Sequence, residues 1–143
     1  MIAIDTNVLL RYLLADDASQ HSKAKTLIKG HRPVLITDVV LAETVWTLTG
    51  KRYLLDKEAI CEVVRGLVGD GAFQFESSQV VWSALMDYED SKSVRGKTLD
   101  FVDALIAHKA RFVAIEDGQV LDGFYSFDKA VGQLEGAKAP GSK

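Results

Sequence analysis

The sequence predicts an α/β fold: a central parallel sheet with helices on both faces. Two observations carry that prediction. Short apolar runs, Ile2-Ala3-Ile4, Val34-Leu35-Ile36 and Phe73-Gln74-Phe75-Glu76, have the length of strands rather than helices. Between them lie stretches with apolar residues at helical spacing, most opening on a residue type that caps helices. Parallel strands need such crossover connections.

In chain order, Asp5 ends the first strand, and Thr6-Asn7 lead into a largely buried helix carrying Val8, Leu9, Leu10, Tyr12, Leu13 and Leu14. Asp16-Asp17 marks a turn. Ala18 to Lys29 is a helix with Ala24, Leu27 and Ile28 inward, stopped by Gly30 and Pro33. Thr37 or Asp38 caps a helix that runs to Thr49 and ends at Gly50. Asp56 caps another, with Ile60, Val63, Val64 and Leu67 on its apolar stripe. A helix follows from Gln79 to Tyr88, then a polar loop from Glu89 to Thr98. From Asp100 an apolar helix runs through Ala107. Periodicity leaves Phe112 to Ile115 open between its continuation and a further strand. Phe124 to Asp128 is the last strand, and Lys129 to Leu134 a closing helical turn. Residues 1–135 make one domain. The stretch 136–143 offers no core-forming residues and is expected to be a disordered tail.

A chain of 143 residues with 48% apolar and 26% charged residues can bury a real core as one domain. It contains no run of about 20 apolar residues, so no membrane span is expected. A single cysteine, Cys61, excludes an intramolecular disulfide and sits in an apolar helical pattern as a buried small hydrophobe. These features point to a cytoplasmic protein. The net charge of -3 argues against broad electrostatic binding of nucleic acid. It does not exclude an enzyme that gathers acids around a cation, because a bound metal is itself a large local charge.

Five acids stand at the edges of apolar elements. Asp5 ends a strand, where ligands of open α/β sheets bind; a helix cap accounts for it equally well. Glu43 lies within Val39-Val40-Leu41-Ala42-Glu43-Thr44-Val45-Trp46, or else on a polar edge with Thr44 and Thr47. Asp100 and Asp103 are three apart at a helix start and share a face. Helix-dipole stabilisation explains Asp100 better than Asp103. Asp128 repeats the strand-end placement of Asp5. Clustered oxygen donors without paired histidine or cysteine suit Mg²⁺ or Mn²⁺. Such a cation supports phosphodiester hydrolysis without a covalent intermediate. His21, His31 and His108 read as solvated surface residues.

These residues resemble the PIN-domain ribonucleases. Met1-Ile2-Ala3-Ile4-Asp5-Thr6-Asn7-Val8-Leu9 is similar to the family's opening, and Leu41-Ala42-Glu43-Thr44 to its helix-borne glutamate. Asp100-Phe101-Val102-Asp103-Ala104-Leu105-Ile106-Ala107 is similar to its third acidic motif, and Ser126-Phe127-Asp128-Lys129 to its closing one. Length and bare single domain resemble the VapC-type toxins of bacterial toxin–antitoxin pairs. The resemblance implies a PIN-like three-layer sandwich and a Mg²⁺- or Mn²⁺-dependent endoribonuclease. Asp5, Glu43, Asp103 and Asp128 would be its catalytic metal carboxylates, with Asp100 a further ligand or neighbour. Thr6, Asn7 and Ser126 would orient carboxylates or bound water. A homodimer and a cognate antitoxin that blocks the pocket are also implied. The segment Ala110 to Asp122 is longer and more apolar than the family pattern leads one to expect before the fourth motif. Arg11, Lys51, Arg52, Arg95 and Lys97 are the cations best placed in sequence to meet phosphates. Two other functions fit parts of the pattern. A phosphatase with an aspartate nucleophile would want a second aspartate two residues after Asp5, which is absent. A non-catalytic module would hold a structural cation or a basic partner.

Overall fold

The computed structural model describes residues 1–141. The chain divides into two compact units, Met1–Ser78 and a second that begins at Gln79. The α/β class and the parallel sheet are those the sequence predicts.

In the first unit, β1 (Ile2–Ala3), β2 (Val34–Ile36) and β3 (Phe73–Phe75) form a parallel sheet in the order β1-β2-β3. Ile2 aligns with Val34 and Val34 with Phe73, so β2 is paired on both sides. Val34 and Ile36 are fully buried, as a central strand of β-branched residues should be. Because the strands are parallel, their carboxyl ends lie at one edge. The connections carry α1 (Thr6–Leu13), α2 (Ala18–Gly30), α3 (Asp38–Thr49) and α4 (Lys57–Gly69). Helix α1 packs on α2 and α3, and α4 packs on β3. Leu9, Leu41, Leu48, Ile60 and Val64 fill the core, Cys61 is buried, and Tyr12 meets Phe73 edge to face at 5.5 Å.

Each of these four helices starts on a side-chain cap. Asp17 accepts the Gln20 N–H, Thr37 that of Val40 and Asp56 that of Ala59; the Asp5 cap is described below. Gly50 ends α3, where a Cβ would stand 3.3 Å from the Thr47 and Trp46 carbonyl oxygens. Asp16, read in sequence only as a turn marker, collects three donors. Arg11 reaches it at 2.9 Å, the Tyr53 hydroxyl at 3.0 Å and Arg52 at 3.4 Å. The Arg11 hydrogen bond lowers the Asp16 carboxyl pKa; partial burial opposes this and Tyr53 adds to it.

The second unit contains α5 (Ser78–Asp90, whose first residue belongs to the first unit), α6 (Phe101–Glu116), β4 (Phe124–Tyr125) and β5 (Ala137–Lys138). A 3-10 turn covers Val131–Gln133. Val81, Ala84, Leu85, Phe101, Ala104 and Ala130 are its most buried residues. Tyr88 and Phe101 meet edge to face at 5.9 Å. Gln133 accepts the Lys92 N–H and donates back to its carbonyl, fastening the loop after α5 to the 3-10 turn. In that loop Arg95 and Gly96 both have positive φ, the geometry that lets Val94 pair with Lys97.

Two expectations are resolved against the structure. Phe112 to Ile115 continue α6 and form no strand. The expected tail 136–143 is a correction: Ala137–Lys138 is β5, parallel to β4. Phe124 N–H donates to the Gly136 carbonyl and Ser126 N–H to the Lys138 carbonyl. A strand held by its backbone needs no core-forming side chains, which is why composition missed it. Residues 142 and 143 of that stretch lie outside the described residues. Among the described residues no helix is long and apolar enough to cross a membrane.

Two substitutions test this packing. Leu41→Ala, at a site with no solvent exposure, is expected to cost about 2–5 kcal/mol in urea unfolding. Asp16→Asn is expected to lower Tm at neutral pH. Because the Asp16 pKa is depressed on folding, its contribution is present above the ordinary value of 3.8 and fades as pH falls through the lower folded value. Scanning calorimetry should therefore show the gap to wild type closing in acid.

Candidate functional site

Asp5 follows β1 and caps α1, its Oδ1 accepting the Val8 N–H at 2.9 Å. Its side chain is exposed at the carboxyl edge of the sheet. Thr6 is the first residue of α1, and Asn7 is exposed beside it. Glu43 is exposed on α3. Sequence neighbours suggest apolar surroundings, but the helix separates them: Thr44 and Val45 point inward, while Val39 and Trp46 lie outward with Glu43 and Thr47. The polar-edge reading therefore holds for Thr47 and fails for Thr44, whose buried hydroxyl donates to the Val40 carbonyl at 2.7 Å.

Asp100 and Asp103 form a reciprocal capping box at the start of α6. Asp100 Oδ1 accepts the Val102 N–H at 3.1 Å, and Asp103 Oδ2 accepts the Asp100 N–H at 3.2 Å. Burial raises the Asp103 carboxyl pKa. The Asp100 N–H opposes this, and the like charges of Asp100 and Asp128 push it further up. Asp128 follows β4 by three residues, with its Oδ1 on the Ala130 N–H at 2.8 Å. Its own N–H donates to Ser126 Oγ at 3.0 Å, so Ser126 fixes the backbone that carries the acid. The structure thus brings Asp100, Asp103 and Asp128 within electrostatic reach of one another, while Asp5 and Glu43 belong to the first unit.

Sequence reasoning passed over other acids. Glu76 directly follows β3, and its Oε2 accepts the Asp38 N–H at 2.7 Å. Asp5, Asp38 and Glu76 therefore stand just beyond the carboxyl ends of the three parallel strands. The signal that singled out Asp5, an acid closing an apolar run, was equally present at Glu76. His108 is no solvated residue: its Nε2 pairs with Asp87 across α5 and α6, and its side chain is only 16% exposed. His21 donates Nδ1–H to the Arg11 carbonyl and His31 to that of Leu27. Of the candidate phosphate-binding cations, Arg11 and Arg52 both hold Asp16, while Lys51, Arg95 and Lys97 are exposed.

The PIN domain family model matches residues 2–121. This chain belongs to the PIN domain family. Proteins of that family are generally metal-dependent nucleases, hydrolases that typically use divalent ions. The PIN match spans Asp5, Glu43, Asp100 and Asp103, and ends before Ser126 and Asp128. No curated protein matches the chain, and no solved structure does.

Among the described residues, no group of three or more His, Cys, Asp or Glu side chains is gathered tightly enough to hold a metal ion. In donor chemistry the acids still fit a hard divalent cation, being oxygen ligands only. The pressure of Asp100 and Asp128 on Asp103 is the charge imbalance that a cation relieves.

The same pressure makes a stability prediction. Because the folded pKa of Asp103 is raised, its ionised form works against the fold; folding is favoured near and below the ordinary value of 3.8 and loses stability as pH rises through the folded value. In chelator, Asp103→Asn is therefore expected to raise Tm at neutral pH, with the gain vanishing in acid. Equal melting of the two proteins at neutral pH would remove the account of Asp103 as an acid disfavoured by burial and by its like-charged neighbours.

Proposed function

We propose that this chain is a metal-dependent endoribonuclease of the VapC type, an RNA-cleaving toxin of the cytoplasm held in check by a cognate antitoxin. The observation that carries the nuclease half is the PIN family match over residues 2–121, which spans Asp5, Glu43, Asp100 and Asp103. Asp5, Glu43, Asp103 and Asp128 would hold Mg²⁺ or Mn²⁺, with Asp100 as a neighbour or further ligand. The ion would activate a water and stabilise the leaving oxygen of a phosphodiester.

The chain's own residues prepare that site. Asp5 gives Oδ1 to Val8 N–H and Asp128 gives Oδ1 to Ala130 N–H, so each carboxylate is fixed in rotamer with its second oxygen available. Asp103 is held by the Asp100 N–H. Ser126 sets the backbone angle of Asp128. Thr6 and Asn7, at the start of α1, would orient water or carboxylate. Phe127, 81% exposed beside Asp128, offers a π-face on which an unpaired base can stack. That favours a single-stranded RNA substrate.

The toxin assignment rests on the motif resemblance. It carries with it a homodimer and an antitoxin that fills the acidic pocket, presenting a basic side chain to it.

The test is cleavage of a mixed-sequence RNA with Mg²⁺, with Mn²⁺ and with chelator. Wild type should cut only with metal, and Asp5→Ala and Asp103→Asn should each lose on the order of 10²–10³-fold in kcat. Cutting that persists in chelator, or a phosphoryl group trapped on Asp5, would overturn the reading. Phe127→Ala is expected to weaken RNA binding by about 1–3 kcal/mol, measured as a rise in KM with little change in kcat.

A further inference from the structure

A cavity of about 280 Å³ opens between α1 and α2. Asn7, Val8 and Arg11 line it from one face of α1; Gln20, Lys23, Ala24 and Leu27 line it from one face of α2. We propose that this cavity is a base-reading subsite that takes one nucleobase of a single-stranded RNA beside the bond to be cut. The inference rests on the ribonuclease reading and adds to it where sequence preference resides.

Three observations support a base as occupant. Val8, Ala24 and Leu27 supply apolar surface for the flat face of a ring. Asn7 and Gln20 supply amides, each with donors and an acceptor, the groups that read a base edge. Lys23 supplies positive charge for a neighbouring phosphate, and no acidic side chain lines the cavity.

Size and place narrow the occupant further. The volume falls at the small end of ligand pockets, which run from roughly 300 to 1,000 Å³. A single base suits it, whereas a helix or strand of a protein partner does not fit within it. Asn7 follows Asp5 by two residues in α1, so a nucleotide seated here lies next to a candidate metal carboxylate.

The test uses the full chain with two variants outside the acid set. Leu27→Trp fills the cavity and Gln20→Ala removes one reading amide; both positions are exposed, so the fold should tolerate them. Binding of a short fluorescein-labelled RNA is followed by anisotropy in chelator, and the ends of cleaved mixed-sequence RNA are mapped with Mn²⁺. Leu27→Trp should weaken binding about tenfold. Gln20→Ala should change the base preferred at one position beside the cut. Wild-type affinity and an unchanged cleavage profile in both variants would overturn the proposal, as would failure of the wild type to bind RNA. So would a Leu27→Trp protein that loses binding of a poly-glutamate peptide yet keeps RNA. If the wild type binds RNA but cuts none, the nuclease reading fails by itself. The subsite is then decided by affinity: weakened binding in Leu27→Trp upholds it, and unchanged binding ends it.

Discussion

A carboxylate has two oxygens, and a free backbone N–H at a helix start occupies only one of them. Much of this molecule depends on that arithmetic. Helices α1, α2, α4 and α6 each begin at an aspartate whose side chain accepts an N–H of the first turn. At Asp17 and Asp56 the arrangement finishes a helix and nothing more is asked of it. At Asp5 the same contact fixes a carboxylate at the carboxyl edge of a parallel sheet. Asp128 repeats it in a turn. Capping and a place in a site are therefore not rival explanations of these acids, because a cap occupies one carboxylate oxygen only.

How much of this can be read from sequence depends on what kind of force places a residue. Burial writes itself into periodicity, so β1, β2, β3 and the inward face of α4 follow from apolar spacing alone. Capping is local, so Asp5, Asp56 and Asp100 were legible as helix starts, while Asp17 read only as part of a turn. Backbone pairing leaves no side-chain signature, and β5 was invisible for that reason. Long-range polar contacts are equally silent: Asp16 draws Arg52 and Tyr53 from the far side of α3, and Asp87 meets His108 on a different helix. For Glu43 the opposite error arose. Apolar sequence neighbours at positions 42, 45 and 46 were taken as spatial surroundings, but a helix distributes them over different faces.

The candidate acids also differ in what they cost. Asp5, Glu43 and Asp128 are exposed and water can carry their charge. Asp103 is half-buried among like charges, and its position is unfavourable to the free protein. The capping box with Asp100 does not remove this tension. It holds the carboxylate in the place where the tension is greatest.

The pairing of β4 with β5 has a practical consequence for handling the protein. Core-forming residues end at Leu134, which makes the next residues look expendable when a shorter version is cut for expression. Cutting there would take away the carbonyls of Gly136 and Lys138, the acceptors for Phe124 and Ser126. The segment bearing Ser126 and Asp128 would then lose the ladder on one side. A shortened chain could keep its core and its melting point while the last acid drifts from its neighbours, giving a well-behaved protein with an unreliable assay. Tags and cuts belong beyond residue 138.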